Sequence, residues 1–126
     1  MTAIRLLIVD DVDQVRQDLR TVLTLAADAE TEHPIEIVGE AGDGLQAIQQ
    51  AEALHPDVIL MDLEMPVLDG YEATRQIKAL HPDCRVIALT VHEYAAAYQQ
   101  AFQAGMDAFI VKGTPLETLV QAICQS

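Results

Sequence analysis

Five polar residues stand where apolar runs end. Asp10 and Asp11 follow the run at 4–9, Asp62 follows 58–61, Thr90 follows 86–89 and Lys112 follows 108–111. Short apolar runs that do not alternate, such as Val58-Ile59-Leu60-Met61, read as strands buried on both faces. The carboxyl ends of such strands form the sheet edge where open α/β folds bind ligands. Three carboxylates crowded there repel one another and resist full ionisation. A hard divalent cation with oxygen ligands relieves that repulsion, and Mg²⁺ is the natural candidate. A hydroxyl (Thr90) and an ammonium (Lys112) beside such a site suit phosphoryl chemistry. The metal and Lys112 neutralise phosphoryl oxygens, Thr90 donates a hydrogen bond, and Asp62 serves as the nucleophile that forms an acyl phosphate.

Taken singly, each residue has a plainer reading. Asp-Asp before a helix is usually a cap, Thr90-x-x-Glu93 is itself a capping box, and a loop lysine is usually a solvated charge. The joint pattern is what carries weight, because five suitable groups fall on successive strand ends in one chain order.

The elements that must position them are legible in the periodicity. Strands are expected at 4–9, 35–41, 58–61, 85–90 and 108–111. Helix one follows from Val12, Val15, Leu19, Val22, Leu23 and Ala26 at helical spacing, with a loop from Ala27 to Pro34. Asp43-Gly44 starts helix two, marked by Ala47, Ile48, Ala51 and Leu54. Asp69-Gly70 starts helix three, with Tyr71, Thr74, Ile77 and Leu80 toward the core. His55-Pro56 and His81-Pro82 stop these two helices. Ala-Leu-His-Pro-Asp occurs twice, at 53–57 and 79–83, as one helix-to-strand turn used twice. Tyr94, Tyr98, Ala101 and Phe102 mark helix four, and Gly105 is its expected C′ residue. Thr114-Pro115-Leu116-Glu117 reads as a capping threonine, proline at N1 and glutamate at N3. Leu116, Leu119, Val120 and Ile123 complete helix five.

Five strands alternating with five helices predict an α/β fold, a single five-stranded parallel sheet with helices on both faces. Strand two carries Glu36 and Glu40 and strand five is short, so both suit the edges. That favours the order 2-1-3-4-5.

At 126 residues the chain is expected to be one domain, 1–126, burying roughly two-thirds of its unfolded surface. It is 51% hydrophobic and only 4% aromatic, so the core must be aliphatic. The formal net charge of −13 repels phosphate backbones and anionic membranes, which argues against direct nucleic-acid binding. Cys84 and Cys124 form no C-x-x-C motif and read as thiols of a reducing cytosol. No secretory leader or membrane-length apolar run is present, so a cytoplasmic location is expected.

Leu-Leu-Ile-Val-Asp-Asp at 6–11, Met-Asp-Leu-Glu-Met-Pro at 61–66 with Asp69-Gly70, Ala-Leu-Thr at 88–90 and Phe-Ile-Val-Lys-Gly at 109–113 resemble the receiver domain of two-component response regulators. The resemblance covers essentially the whole chain and implies the flavodoxin-like receiver fold. It implies that Asp62 accepts a phosphoryl group from a sensor histidine kinase, and that Asp11, Asp62 and the Glu64 backbone carbonyl bind Mg²⁺, with Asp10 acting mostly through water. It implies that Thr90 follows the phosphate and that Phe109 is the switch aromatic. It places Glu64 and His92 beside the path of the water that removes the phosphate. The alternative is an interaction module that keeps the receiver fold without being phosphorylated. A haloacid-dehalogenase-type phosphatase or a flavodoxin fits poorly, given the order of the acidic residues and the acidic first loop.

Ile37-Val38-Gly39-Glu40-Ala41-x-Asp43-Gly44 and Lys112-Gly113 resemble the narrower NarL/FixJ (LuxR-type) class. That likeness implies a C-terminal helix-turn-helix DNA-binding domain outside this chain, control of transcription, and a phosphorylation-dependent homodimer. Three departures stand out. The segment from Asp11 to Gly39 is longer than in that class, Gly113 replaces the proline common after the lysine, and Val91 replaces a small residue.

Overall fold

The computed structural model describes residues 3–27, 34–91 and 95–125. Among them, five strands alternate with five helices: β1 (Ile4–Val9), α1 (Asp13–Ala27), β2 (Ile35–Ala41), α2 (Gly44–Leu54), β3 (Val58–Asp62), α3 (Gly70–Leu80), β4 (Arg85–Thr90), α4 (Ala95–Ala104), β5 (Ala108–Val111) and α5 (Leu116–Cys124). The sheet is parallel throughout, in the order β2-β1-β3-β4-β5. The Glu-bearing strand and the four-residue strand therefore lie at the edges, as their composition predicts.

The unbroken apolar runs have a direct cause: each central strand buries both faces. Along β1, Leu6 and Ile8 join one core with Val58, Leu60, Ile87, Leu23, Leu119 and Ile123. Leu7 and Val9 join the other, with Ile59, Met61, Val86 and Ala88. The first core lies under α1 and α5. The second lies under α2, α3 and α4, and its helix residues are mostly alanines.

The helix starts follow local chemistry. Asp43 caps α2 by accepting from Gln46 N–H at 2.8 Å, and Asp69 caps α3 by accepting from Glu72 N–H at 2.9 Å. Gly105, at φ +101, closes α4. Gly105 N–H donates to the Phe102 carbonyl and Met106 N–H to the Ala101 carbonyl, the paired bonds of a Schellman ending.

Several expectations are corrected. Leu80, assigned to the core side of α3, is 62% exposed, because Ala73, Thr74 and Ile77 fill that face. Tyr98 and Phe102 are exposed, since Ala97, Ala101 and Ala104 are the residues of α4 that meet the core. Val12 precedes α1 and is exposed, as is Val22; among the described residues of this helix, Leu23 is the one fully buried. At α5 the capping box does not form. The Thr114 hydroxyl donates to the Val111 carbonyl at 2.6 Å, and the helix begins at Leu116 with Pro115 in the cap position. The turn that Thr114 closes on the Val111 carbonyl leaves Pro115, not Thr114, at the cap position. The loop expected at 27–34 falls largely outside the described residues, as do Tyr94, His92 and Glu93.

Candidate functional site at the carboxyl edge

β1 and β3 are neighbours, with Val9 opposite Met61, so the residues that follow them emerge side by side. Oxygens of Asp10, Asp11 and Asp62 lie within 4.8 Å of one another. Asp10 is 1% exposed and Asp62 7%, whereas Asp11 is exposed. Lys112 enters from the end of β5, its Nζ 2.7 Å from Asp10 Oδ2 and 3.9 Å from Asp62 Oδ1. Thr90, 1% exposed, ends β4 one residue past Leu89, the partner of Asp62. The Lys112 N–H donates to the Thr90 carbonyl at 2.6 Å.

Of the remaining predicted site residues, His92 lies outside the described residues. Glu64 is exposed on the loop after β3. Phe109 pairs with Ala88, lower in the sheet, and packs on the alanine-rich core with its ring 5.5 Å from that of Tyr98. It is thus beneath the acidic group and not part of it. Val91, 64% exposed, projects at the rim. The Lys112–Gly113 peptide is trans, and Gly113 takes φ +95.

Electrostatics follow from burial. The Asp62 carboxyl is pushed up to about 7. Desolvation is the largest cause and the neighbouring Asp10 charge the second. Lys112 opposes the rise, a hydrogen bond with the Asp11 side chain adds to it, and the Glu64 backbone N–H bond opposes it. One ammonium thus faces three carboxylates. The surplus is negative and the donors are all oxygen, the set a hard cation prefers. A metal site among Asp10, Asp11 and Asp62 fits on those grounds.

Some supporting residues were not foreseen. Arg16 donates to the Asp10 backbone carbonyl and pairs with Glu40 at 3.1 Å and with Asp13; Arg20 also pairs with Glu40, at 2.9 Å. These bonds fasten α1 and β2 to the strand end that presents Asp10. The loop after Asp62 is held by backbone contact. Gly44 N–H donates to the Leu68 carbonyl at 3.0 Å, and Gly70 N–H to the Leu63 carbonyl at 3.0 Å. A Cβ on Gly44 would collide with the Leu68 carbonyl, and one on Gly70 with the Asp62 carbonyl. Between them, Leu68 N–H donates to the Pro66 carbonyl at 2.8 Å across Val67, which takes φ +70. This is a γ-turn of the strained, positive-φ kind. The Asp-Gly pairs were the sequence signal for the two close approaches; nothing signalled a left-handed valine.

Residues 6–124 match the family model described as "Response regulator receiver domain". The chain belongs to this family. It is 41% identical over 120 residues to "Response regulator GacA" of Pseudomonas viridiflava, an alignment covering 95% of this chain and 53% of that protein. Among solved structures, a LuxR-family two-component response regulator from Aurantimonas sp. superposes with a TM-score of 0.85 at 33% identity, covering 98% of this chain and 83% of that one. The signal receiver domain of the putative response regulator NarL from Mycobacterium tuberculosis gives 0.86 at 25% identity, with full coverage of both chains. The receiver chain spans about half the length of the curated relatives it matches. Receiver domains of response regulators are signalling modules rather than classical enzymes. Among the described residues, no helix is long and apolar enough to cross a membrane.

Proposed function

We propose that residues 1–126 form one receiver domain and that Asp62 is its phosphoacceptor. The observation that carries this reading is the convergence of three carboxylates and one ammonium at the ends of β1, β3 and β5. In the transfer, an Asp62 carboxylate oxygen forms the new O–P bond. The P–N bond of a phosphohistidine on a sensor histidine kinase breaks, and its electron pair returns to the imidazole. Only ionised Asp62 can attack. Its raised pKa leaves the metal-free group partly protonated near neutral pH, so neutralising the surrounding charge favours the reactive form.

Asp10, Asp11, Asp62 and the Glu64 backbone carbonyl are the groups that would hold Mg²⁺. When bound, that ion supplies positive charge against the carboxylates and the transferred phosphoryl oxygens. Lys112 leaves Asp10 for the phosphoryl group as negative charge moves to it, and the Thr90 hydroxyl donates to the same group. Thr90 drawn inward opens space that Phe109 enters, shifting α4, β5 and α5. By the likeness to receivers, Glu64 and His92 set the phosphate's lifetime. The output is a change in protein contacts: a phosphorylation-dependent homodimer, or release of a helix-turn-helix DNA-binding domain that lies outside this chain and regulates transcription. The acidic receiver does not itself touch nucleic acid. The proposed place of action is the cytoplasm, as for the kinase-coupled signalling read here.

Incubation with acetyl phosphate and Mg²⁺, followed by mass measurement, tests the assignment. The expected product carries one base-labile phosphate that disappears in Asp62→Asn. Label retained in that variant moves the acceptor elsewhere, and an unlabelled parent protein points to a phosphorylation-independent interaction module.

A further inference from the structure

Asp11 is the exposed member of the acidic trio, yet its backbone is clamped on both sides. The Val12 N–H, on the peptide that follows Asp11, donates to Asp10 Oδ1 at 2.9 Å. The Asp10 carbonyl, on the peptide that precedes it, accepts from Arg16 Nη1. A peptide unit is planar, so holding one of its polar atoms fixes the orientation of the whole plane. With both planes held, φ and ψ of Asp11 have little freedom, and its side chain leaves the backbone in one direction. The first clamp belongs to Asp10. The second belongs to Arg16.

Arg16 is itself fixed. Its side chain is 15% exposed. Nη1 takes the Asp10 carbonyl, Nη2 takes Asp13 Oδ1, and Nε takes Glu40 Oε1 at 3.1 Å. The other Glu40 oxygen accepts from Arg20 Nε at 2.9 Å, and Glu40 stands opposite Ile8 on the neighbouring strand. The guanidinium therefore ties the edge strand β2 and the first turn of α1 to the peptide before Asp11. A planar fork with donors on separate nitrogens spans three such partners, whereas an ammonium is a single point.

We propose that Arg16 is a positioning residue for Mg²⁺, aiming the Asp11 carboxylate by holding the Asp10–Asp11 peptide. The inference rests on the reading of the acidic trio as a metal site. Arg16 acts through Asp11 rather than on the ion. Its charge and its grip have opposite effects. A cation beside the trio repels a second cation, whereas a clamp shapes the site in advance. The Asp13 and Glu40 carboxylates pair with the guanidinium directly and offset its charge, so the grip decides the sign. Loss of Arg16 therefore weakens Mg²⁺ binding, where loss of a bare cation would tighten it.

Amide NMR of the 126-residue chain titrated with MgCl₂ alone, with no phosphodonor present, provides the test. Arg16→Met should weaken Mg²⁺ binding roughly tenfold or more, as loss of a ligand's supporting partner does. Arg16→Lys should fall between that variant and the parent, because it keeps the charge but not the three-way fork. Glu40→Gln, which loosens the anchor of Arg16, should weaken binding by a smaller factor than Arg16→Met, and Arg85→Met at the opposite edge should leave it unchanged. A dispersed spectrum shows that each variant folds; should Arg16→Met misfold, Arg16→Lys carries the test. At saturating MgCl₂, labelling of Arg16→Lys by acetyl phosphate should return close to the parent's rate, a recovery that general loss of structure does not give. Unchanged or tighter Mg²⁺ binding in the folded Arg16 variant overturns the proposal. Parent amides unmoved by MgCl₂ sink the metal reading and this inference with it. Weakened binding in a protein that takes no label supports the role of Arg16 while sinking the phosphoacceptor reading alone.

Discussion

The two edges of the sheet use charge in opposite ways. At the amino edge, each basic side chain has fixed backbone partners. Arg5 donates to the last carbonyls of α2, Arg85 donates to the Ala122 and Ile123 carbonyls of α5 at 2.8 and 3.1 Å, and Lys78 bridges the Cys84 carbonyl and Asp107. These bonds close helix ends that would otherwise leave carbonyls unpaired. At the carboxyl edge, three carboxylates share one lysine, and two of them are buried. The first arrangement is complete without any ligand. The second is left electrostatically unfinished, and that surplus is what makes it chemically useful.

The largest expected effect breaks the carboxyl edge outright. Asp62→Asn should reduce phosphate uptake from acetyl phosphate to background. The same change should flatten a pH dependence. Asp62 binds its proton more tightly folded than unfolded, so between about pH 4 and 7 the folded state holds more protons and metal-free stability falls as pH rises. Denaturant melts in EDTA across that window should show the fall in the parent and not in the variant. An equal fall in both would place the titrating group elsewhere.

Lys112→Met should come next. It strands the buried Asp10 carboxylate, at a cost of about 3 kcal/mol without metal, and Mg²⁺ should recover much of it. Arg85→Met should cost about 2 kcal/mol through two lost charge-assisted bonds, with no recovery on adding Mg²⁺. Parallel urea melts with and without Mg²⁺ sharpen the contrast. Recovery of the Arg85 variant by Mg²⁺ would mean the edges are not independent. The smallest effect concerns strain. Val67→Gly should raise stability by about 0.5–1 kcal/mol, since it releases a left-handed valine and gives back part of that gain as chain entropy. A lower unfolding midpoint for this variant would show that the turn carries no strain.

How much of this was visible in the sequence depends on the range of each interaction. The strands were legible because burial on both faces removes alternation, as at 58–61. Asp43 and Asp69 were legible as caps because capping acts over three residues. Strand order followed from Glu36 and Glu40 and from the brevity of β5, and it brings the strand-end aspartates together. The Arg16–Glu40 pair was not legible, since its partners are 24 residues apart and meet only once α1 lies against β2. Helix faces went wrong where small residues do the packing. Tyr98 and Phe102 share a helix with Ala97, Ala101 and Ala104, and hydrophobicity alone favours the larger side chains. Thr114 misled because the same hydroxyl can close the turn behind it or cap the helix ahead.

The alanines of α4 have a mechanical consequence. Ala97, Ala101 and Ala104 present only methyl groups to the core, worth roughly 0.8 kcal/mol each, or about 2–3 kcal/mol together. Leu119 and Ile123 anchor α5 with about 3–6 kcal/mol between them. A row of methyls is also shallow, with no long side chain keyed into a socket. Beyond the Tyr98–Phe109 contact, α4 rests on the sheet as on a smooth bearing, whereas α5 is bolted. A modest push at the neighbouring strand end therefore slides α4 first, and amide exchange should be faster along α4 than along α5.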